Sequence, residues 1–443
     1  MIVENQIKKS EETIGRSLFL LGAGATKNAG CKVSSEMLDD IFKMGWSKPE
    51  REALDFMISA LHYHSSWKNV KEKKQPDDTN GHTPNIEDLM LLVNRIINRD
   101  SYLPYPITGS WADKINFLEI EWRNLKEKQI QSEPLFENLA NKIKERLASW
   151  LNIGNEQLEY LCPVEKYLKK SSSNSAKLEF FTLNYDLVFE KYFNRGDVTL
   201  LDTGFTQGHF TGFNRDPSKT DFRINYYKLH GSINWEKEPT GSIKELFEYA
   251  NDPNFFRVRN EEDSVDRQTI DEFLSTSILN AHIIFGQGGK FLSVDPFISI
   301  LYNFKEKLEE KDIYFVIGYS FFDPYINNML LEGLSKDSRN SKLMIVVNPQ
   351  FSEKSLLLVE ERKKNQTDKE HLIKNRFIDY VQNIQTSTYL SDLPEFNLTE
   401  ISPNKVKILP YYTDQFFKEY FSVENSGLAK LSDELSQSDD IFL

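Results

Sequence analysis

The sequence predicts an α/β fold: a doubly wound, Rossmann-like parallel sheet with a large helical insertion. Three observations predict it. Short, continuous apolar runs recur along the chain and end in glycine or asparagine, the pattern of strands buried on both faces. These runs alternate with helical patterns, as parallel strands require of their connections. Between the first run and the next lies a long stretch whose apolar residues fall three and four apart, the spacing of amphipathic helices.

The elements follow in order. Ser17–Leu21 (SLFLL) reads as a buried strand that runs into the glycine turn Gly22–Thr26 (GAGAT) and a helix, so residues 1–50 form the first part of the Rossmann domain. Residues 51–170 form a helical insertion or cap, carried by LDFMISALHYH, IEDLMLLVNRII, WADKINFLEIEWRNLKEKQI and LFENLANKIKERLASWL. Within it, Ile86, Leu89, Met90 and Val93 make a stripe expected to face the core. Residues 171–360 form the second part of the Rossmann domain. They open with the linker Ser171–Ala176 and continue through LEFFTLN, VTLLDTG, INYYKLH, AHIIFG, Ile313–Ser320 and Lys342–Asn348. A helix over Asp323–Leu334 separates the last two strands, and Glu236–Ser275 is expected as loop plus a short helix. Residues 361–443 read as a helical or mixed C-terminal extension that takes in most of a charged helix, Lys354–Arg376. The extension's aromatics, Tyr411, Tyr412, Phe416, Phe417, Tyr420 and Phe421, suit either core packing or an interface. The final SQSDDIFL reads as a loose end.

Composition narrows the function. The chain has 443 residues, 39% hydrophobic and 13% aromatic, enough for a sizeable core. Its 54 basic and 67 acidic residues leave a net charge of −13. That charge disfavours phosphate backbones, so direct nucleic-acid binding is not expected. Only two cysteines occur, Cys31 and Cys162, so a four-thiolate zinc site cannot be built and no metal is expected. The N-terminal residues carry no signal-peptide pattern, and no apolar run is long enough to span a membrane. The expectation is a soluble, cytoplasmic protein.

Five short motifs carry chemistry, each placed at the end of a predicted strand. GAGAT offers close backbone approach and helix N–H groups to a pyrophosphate, although an ordinary tight turn has the same residues. TLNYD (Thr182–Asp186) places Asn184 and Asp186 beyond a strand's carboxyl end, where open α/β sheets bind ligands. The amide suits a water or ribose hydroxyl and the acid suits a carboxamide N–H; both residues also suit capping of the next helix. KLHGS (Lys228–Ser232) places His230 at a strand end, with Gly231 permitting a sharp exit. A histidine there can take a proton from a sugar hydroxyl or be purely structural. GYSFFDP (Gly318–Pro324) offers Ser320 to phosphate or ribose, while Asp323 reads as the N-cap of the following helix. Asn348, in Val347–Pro349, suits the adenosine ribose. Gly286–Lys290 (GQGGK) is followed by phenylalanine, so it is not a P-loop. Together the motifs describe a dinucleotide pocket with an amide, an acid and a histidine at its reacting end.

In this order the motifs resemble the sirtuin superfamily. Gly22-Ala23-Gly24 with Thr26, then Thr182, Asn184 and Asp186, then His230-Gly231, Gly318 with Ser320, and Asn348 match its pattern. IIFGQGG near Ile283 is similar to a further sirtuin segment. Two departures stand out: the zinc-binding cysteines are missing, and Gly30–Ser35 replaces the proline-aspartate-phenylalanine-arginine part of the cofactor loop. The pattern is closer to bacterial sirtuin-like proteins of anti-phage defence that hydrolyse NAD.

The resemblance implies NAD as substrate. It implies binding by Gly22, Ala23, Gly24, Thr26, Thr182, Gly318, Ser320 and Asn348, and cleavage of the nicotinamide–ribose bond by Asn184, His230 and Asp186. Asn184 would position a water or the ribose, His230 would act as base or hydroxyl partner, and Asp186 would orient nicotinamide. A homo-oligomer is also implied, with a HerA-like ATPase as a candidate partner. The alternatives are a non-hydrolytic NAD or ADP-ribose sensor and a protein deacylase or ADP-ribosyltransferase.

Overall fold

Strands buried on both faces need mainly apolar side chains, and the central strands have them. In the computed structural model Leu18, Leu20, Phe181, Tyr314 and Val316 enter one core, while Phe19, Leu21, Phe180, Phe315 and Ile317 enter the other. The structure describes residues 2–71, 84–98, 111–126, 133–151, 153, 155–171, 177–195, 200–206, 208–213, 222–237, 243–245, 281–283, 295–336, 341–349, 405–422 and 426–439.

The described strands are β1 (Ser17–Leu21), β2 (Leu178–Thr182), β3 (Leu201–Asp202), β4 (Phe205–Thr206), β5 (His209–Phe210), β6 (Ile224–Lys228), β7 (Gly231–Lys237), β8 (Ile243–Glu245), β9 (Ala281–Ile283), β10 (Ile313–Ile317), β11 (Leu343–Val347) and β12 (Val406–Leu409). Seven form a parallel sheet in the order β12-β11-β10-β1-β2-β6-β3. From β1 the sheet extends through β2, β6 and β3 on one side and through β10, β11 and β12 on the other. The direction changes between β1 and β10, whose residues Ser17–Leu21 and Ile313–Ile317 pair in register. Such a switch point is where open α/β sheets leave a crevice for ligands.

The helical insertion lies outside this sheet. Its helices are Lys48–Lys71, Ile86–Ile97, Ala112–Lys126, Leu135–Leu151 and Cys162–Lys170, with a 3-10 turn at Asn155–Leu161. Ile86, Leu89, Met90, Val93 and also Ile96 are buried, so the stripe packs inward as its spacing requires. The helix Ile86–Ile97 has a well-defined start. Asn85 Oδ1 accepts from Glu87 N and Asp88 N, and the Asp88 carboxylate accepts from Asn85 N. This reciprocal cap satisfies backbone groups that would otherwise be unpaired.

Three local differences from the sequence reading have physical causes. Ala281–Ile283, the described part of AHIIFG, belongs to a second, antiparallel sheet of order β4-β5-β8-β7-β9, not to the parallel one; an apolar run does not reveal its partner. Glu236–Ser275 begins with the end of β7 and includes β8. Glu236-Lys237 and Lys244-Glu245 put charged residues into this antiparallel pair, so the apolar-run signal is weak; residues 238–242 and 246–275 lie outside the described residues. The GAGAT turn runs into a helix as read, here the 3-10 helix Ala23–Ala29. The C-terminal segment is continuous with the main sheet: β12 pairs with β11, and Phe416 and Phe417 of the helix Thr413–Tyr420 are buried in the core. The last described helix, Gly427–Asp439, meets the N-terminal helix Ile2–Gly15, where Ser10 Oγ donates to Ser426 Oγ at 2.9 Å and Thr13 Oγ1 donates to Leu428 O at 2.9 Å. The helix expected from Lys354, residues 286–290 and residues 440–443 lie outside the described residues.

Candidate functional site

Six parallel strands send their carboxyl ends to one cavity of about 1050 Å³, at the upper end of small-molecule sites (roughly 300–1,000 Å³). It is reached by Gly22 after β1, Asn184 after β2, His230 after β6, Gly318 after β10, Asn348 after β11 and Tyr411 after β12. The helical insertion closes a further side with Asn85, Ile86, Leu147 and Leu151.

The floor is made by two turns packed directly on each other. Gly22 N donates to Ile317 O and Gly24 N donates to Gly318 O, both at 2.9 Å. A Cβ on Gly22 would lie 2.5 Å from Tyr319 Cα, and one on Gly24 would lie 2.8 Å from Gly318 Cα. Gly318 has φ +61 and would bring a Cβ within 2.4 Å of Ala25 N. The glycines are thus required by turn-on-turn contact, whatever ligand the turns also receive.

Thr26 joins the first turn to the TLNYD loop. Its hydroxyl donates to Asp186 Oδ2 at 2.9 Å and accepts from Asn184 Nδ2 at 3.1 Å. Asn184 Nδ2 also donates to Gly22 O at 3.0 Å. Both amide hydrogens are therefore used inside the protein, and Asn184 Oδ1 has no hydrogen-bond partner among the described residues. A carboxamide held in this way presents an acceptor to the cavity. The other Asp186 oxygen, Oδ1, accepts from Val188 N at 3.1 Å, so both its oxygens are engaged and the residue is buried. Asp186 braces Thr26 and, with Val188 N, ties down the start of the next helix. Thr182 is not among the lining residues: its hydroxyl accepts from Asn184 N at 3.0 Å and acts on the site through that residue. Ala23, Ser320 and Asn348 line the cavity.

His230 is buried, and its Nε2 lies 3.0 Å from Asp323 Oδ2. Its ring stacks on Tyr185 with centroids 6.4 Å apart. Gly231, at φ +86, turns the chain directly from β6 into β7. Beneath this turn Lys228 Nζ donates to Asp186 O, to Glu190 Oε1 at 2.6 Å and to Ser232 Oγ at 2.8 Å. The lysine therefore ties the TLNYD loop to the KLHGS loop from below. Burial raises the Glu190 carboxyl above its usual range, although Lys228 opposes the shift. Burial, reinforced by the nearby Asp186, pushes the Cys31 thiol well up, which leaves it unreactive. The Tyr185 hydroxyl is likewise raised, first by burial and then by Glu87.

Two functional features were missed from sequence. Asp323 does cap the helix Pro324–Ser335, with Oδ1 accepting from Tyr325 N at 3.0 Å and Ile326 N at 3.4 Å, but its second oxygen holds His230. Lys228 is part of the foundation of the site. Its signal was a lysine within the otherwise buried strand INYYK, a placement that burial rules allow only for a paired charge. Among the described residues no group of three or more His, Cys, Asp or Glu is arranged to hold a metal ion, and no helix is long and apolar enough to cross a membrane.

The family model for a SIR2-like domain matches residues 178–381. The match takes in TLNYD, KLHGS, GYSFFDP and Asn348; the GAGAT turn precedes it. Over those residues the chain is similar to SIR2-like domains. No curated protein matches the chain.

Proposed function

We propose that the protein is an NAD hydrolase that cleaves the nicotinamide–ribose bond. The observation that carries this reading is the meeting of Asn184 and His230 in one cavity at the switch point of the sheet, each held by buried partners. Water bonds to the ribose anomeric carbon as the carbon–nitrogen bond breaks. The bonding pair passes to the pyridinium nitrogen, giving neutral nicotinamide, ADP-ribose and one proton. The leaving group needs no protonation, so the chain's task is to position groups and to move water's proton.

In this reading Asn184 Oδ1 accepts from the attacking water or a ribose hydroxyl, and His230 takes the proton. Gly22, Ala23, Gly24, Thr26, Gly318, Ser320 and Asn348 receive the dinucleotide. Asp186 positions Thr26 and Asn184, a role that suits its engaged oxygens better than direct contact with nicotinamide. The helices that supply Asn85, Ile86, Leu147 and Leu151 occupy a cavity wall, which favours water over a protein acceptor. Depletion of NAD would serve anti-phage defence. A hydrolase of this kind needs restraint, which assembly into a homo-oligomer or with a HerA-like ATPase would supply.

The test is incubation of purified protein with NAD, with and without a protein acceptor, followed by measurement of nicotinamide and ADP-ribose. Both products are expected without acceptor. Asn184→Ala and His230→Ala should each lower the rate by roughly 10²–10⁴-fold with unchanged circular dichroism. Near-wild-type turnover in both variants would overturn the assignment. Release of neither product would favour a sensor, and a strict need for acceptor would favour a transferase or deacylase.

A further inference from the structure

We propose that Asp323 is the positioning carboxylate of His230, holding its imidazole as the Nε2–H tautomer and making Nδ1 the nitrogen that exchanges protons. The chemical purpose of this arrangement rests on the NAD-cleavage reading; the tautomer itself does not.

The argument starts from the 3.0 Å contact between His230 Nε2 and Asp323 Oδ2, whose side chains are 7% and 6% exposed. A carboxylate can only accept a hydrogen bond, so the ring nitrogen facing it must carry the proton. In a neutral imidazole that leaves Nδ1 as the basic atom. The same contact stabilises the imidazolium formed when Nδ1 takes a proton, the role a buried carboxylate plays behind a catalytic histidine.

Asp323 itself is held from several sides. Its Oδ1 accepts from two backbone N–H groups of the helix Pro324–Ser335, so the carboxylate cannot rotate without uncapping that helix. Its backbone N–H donates to Tyr319 Oη at 3.1 Å, and Tyr319 Oη donates to Asn327 Oδ1 at 2.9 Å. Asn327 Nδ2 in turn donates to Phe321 O. Phe321 has φ +57, the one non-glycine residue with positive φ among the described residues. Such conformations are costly and persist where surrounding structure enforces them, often at functional sites. A bare N-cap needs none of this bracing. The loop is built to place Oδ2 as well as Oδ1.

Asp323→Asn separates the two roles. Asparagine caps a helix as well as aspartate does, so its Oδ1 can keep the backbone contacts while its NH₂ faces the ring. That NH₂ can only donate, so the ring must reverse to the Nδ1–H tautomer. The measurement is ¹⁵N NMR of the full chain labelled at its seven histidines, with His230 identified as the signal lost in His230→Gln. The wild type should show Nε2 protonated. Asp323→Asn should show Nδ1 protonated, with an NAD cleavage rate lower by roughly 10²–10⁴-fold and an unchanged melting temperature. A wild-type ring protonated on Nδ1 overturns the proposal by itself, even if the variant does not fold. An unchanged tautomer in a folded Asp323→Asn variant overturns it too. If the tautomer reverses but the wild type cleaves no NAD, the positioning contact stands and the proposed hydrolase activity falls.

Discussion

Replacing Thr26 by valine removes one hydroxyl and little volume, from a position where that hydroxyl serves two buried partners. Thr26 and Asp186 are each 1% exposed and Asn184 is 7% exposed, so water cannot readily replace what is lost. The bond to the Asp186 carboxylate is charge-assisted, a class worth about 1.5–3 kcal/mol. The bond from Asn184 Nδ2 belongs to the neutral class, at about 0.5–1.5 kcal/mol, and Asn184 retains its contact with Gly22 O. Together these predict a loss of about 2–4 kcal/mol in Thr26→Val. Thr26→Ser keeps the hydroxyl and loses one methyl, at a cost of about 1 kcal/mol. Urea denaturation of the three proteins measures the difference as a shift in midpoint at constant slope. NAD cleavage should fall much further in Thr26→Val than in Thr26→Ser, because only valine removes one of the two contacts that hold the Asn184 amide. Equal losses in the two variants, or a loss below about 1 kcal/mol in Thr26→Val, would refute the view that the hydroxyl organises the site.

Other outcomes follow from the same structure. Gly318→Ala places a side chain at φ +61 and within 2.4 Å of Ala25 N; it should destabilise the chain by at least about 1–2 kcal/mol and lower its melting temperature. Glu245 is buried, and burial followed by repulsion from Glu190 raises its carboxyl to about 7. A carboxyl raised on folding binds more protons in the folded state, so between its ordinary value and about 7 its contribution makes stability fall as pH rises. The wild type should therefore lose stability relative to Glu245→Gln between pH 5 and 8, and parallel pH profiles for the two would disprove this. The two cysteines are free, one buried and one half-buried, so dialysis against a chelator should leave the melting curve unchanged and elemental analysis should find less than one zinc per chain.

The strands β1, β2, β6, β10 and β11, the helical stretch that follows β1 and the strand-end motifs were legible in local sequence. Each of these is written in neighbours one to four residues apart: SLFLL must be buried on both faces, and Ile86, Leu89, Met90 and Val93 must share one side of a helix. Local sequence also brought Asn184 and His230 into consideration, because both follow strands whose ends face the ligand crevice of this fold class. Which of these residues touch depends on long-range packing. Asn184 reaches Thr26 across 158 positions and His230 reaches Asp323 across 93, pairings set by the order of strands in the sheet. The assignment of β9 to the antiparallel sheet and of β12 to the sheet edge has the same origin. Strand order depends on how whole faces pack, and no local period records it. Asp323 shows the consequence most directly: its role as a cap was legible from the proline beside it, while its hold on His230 required β6 and β10 to end in the same cavity.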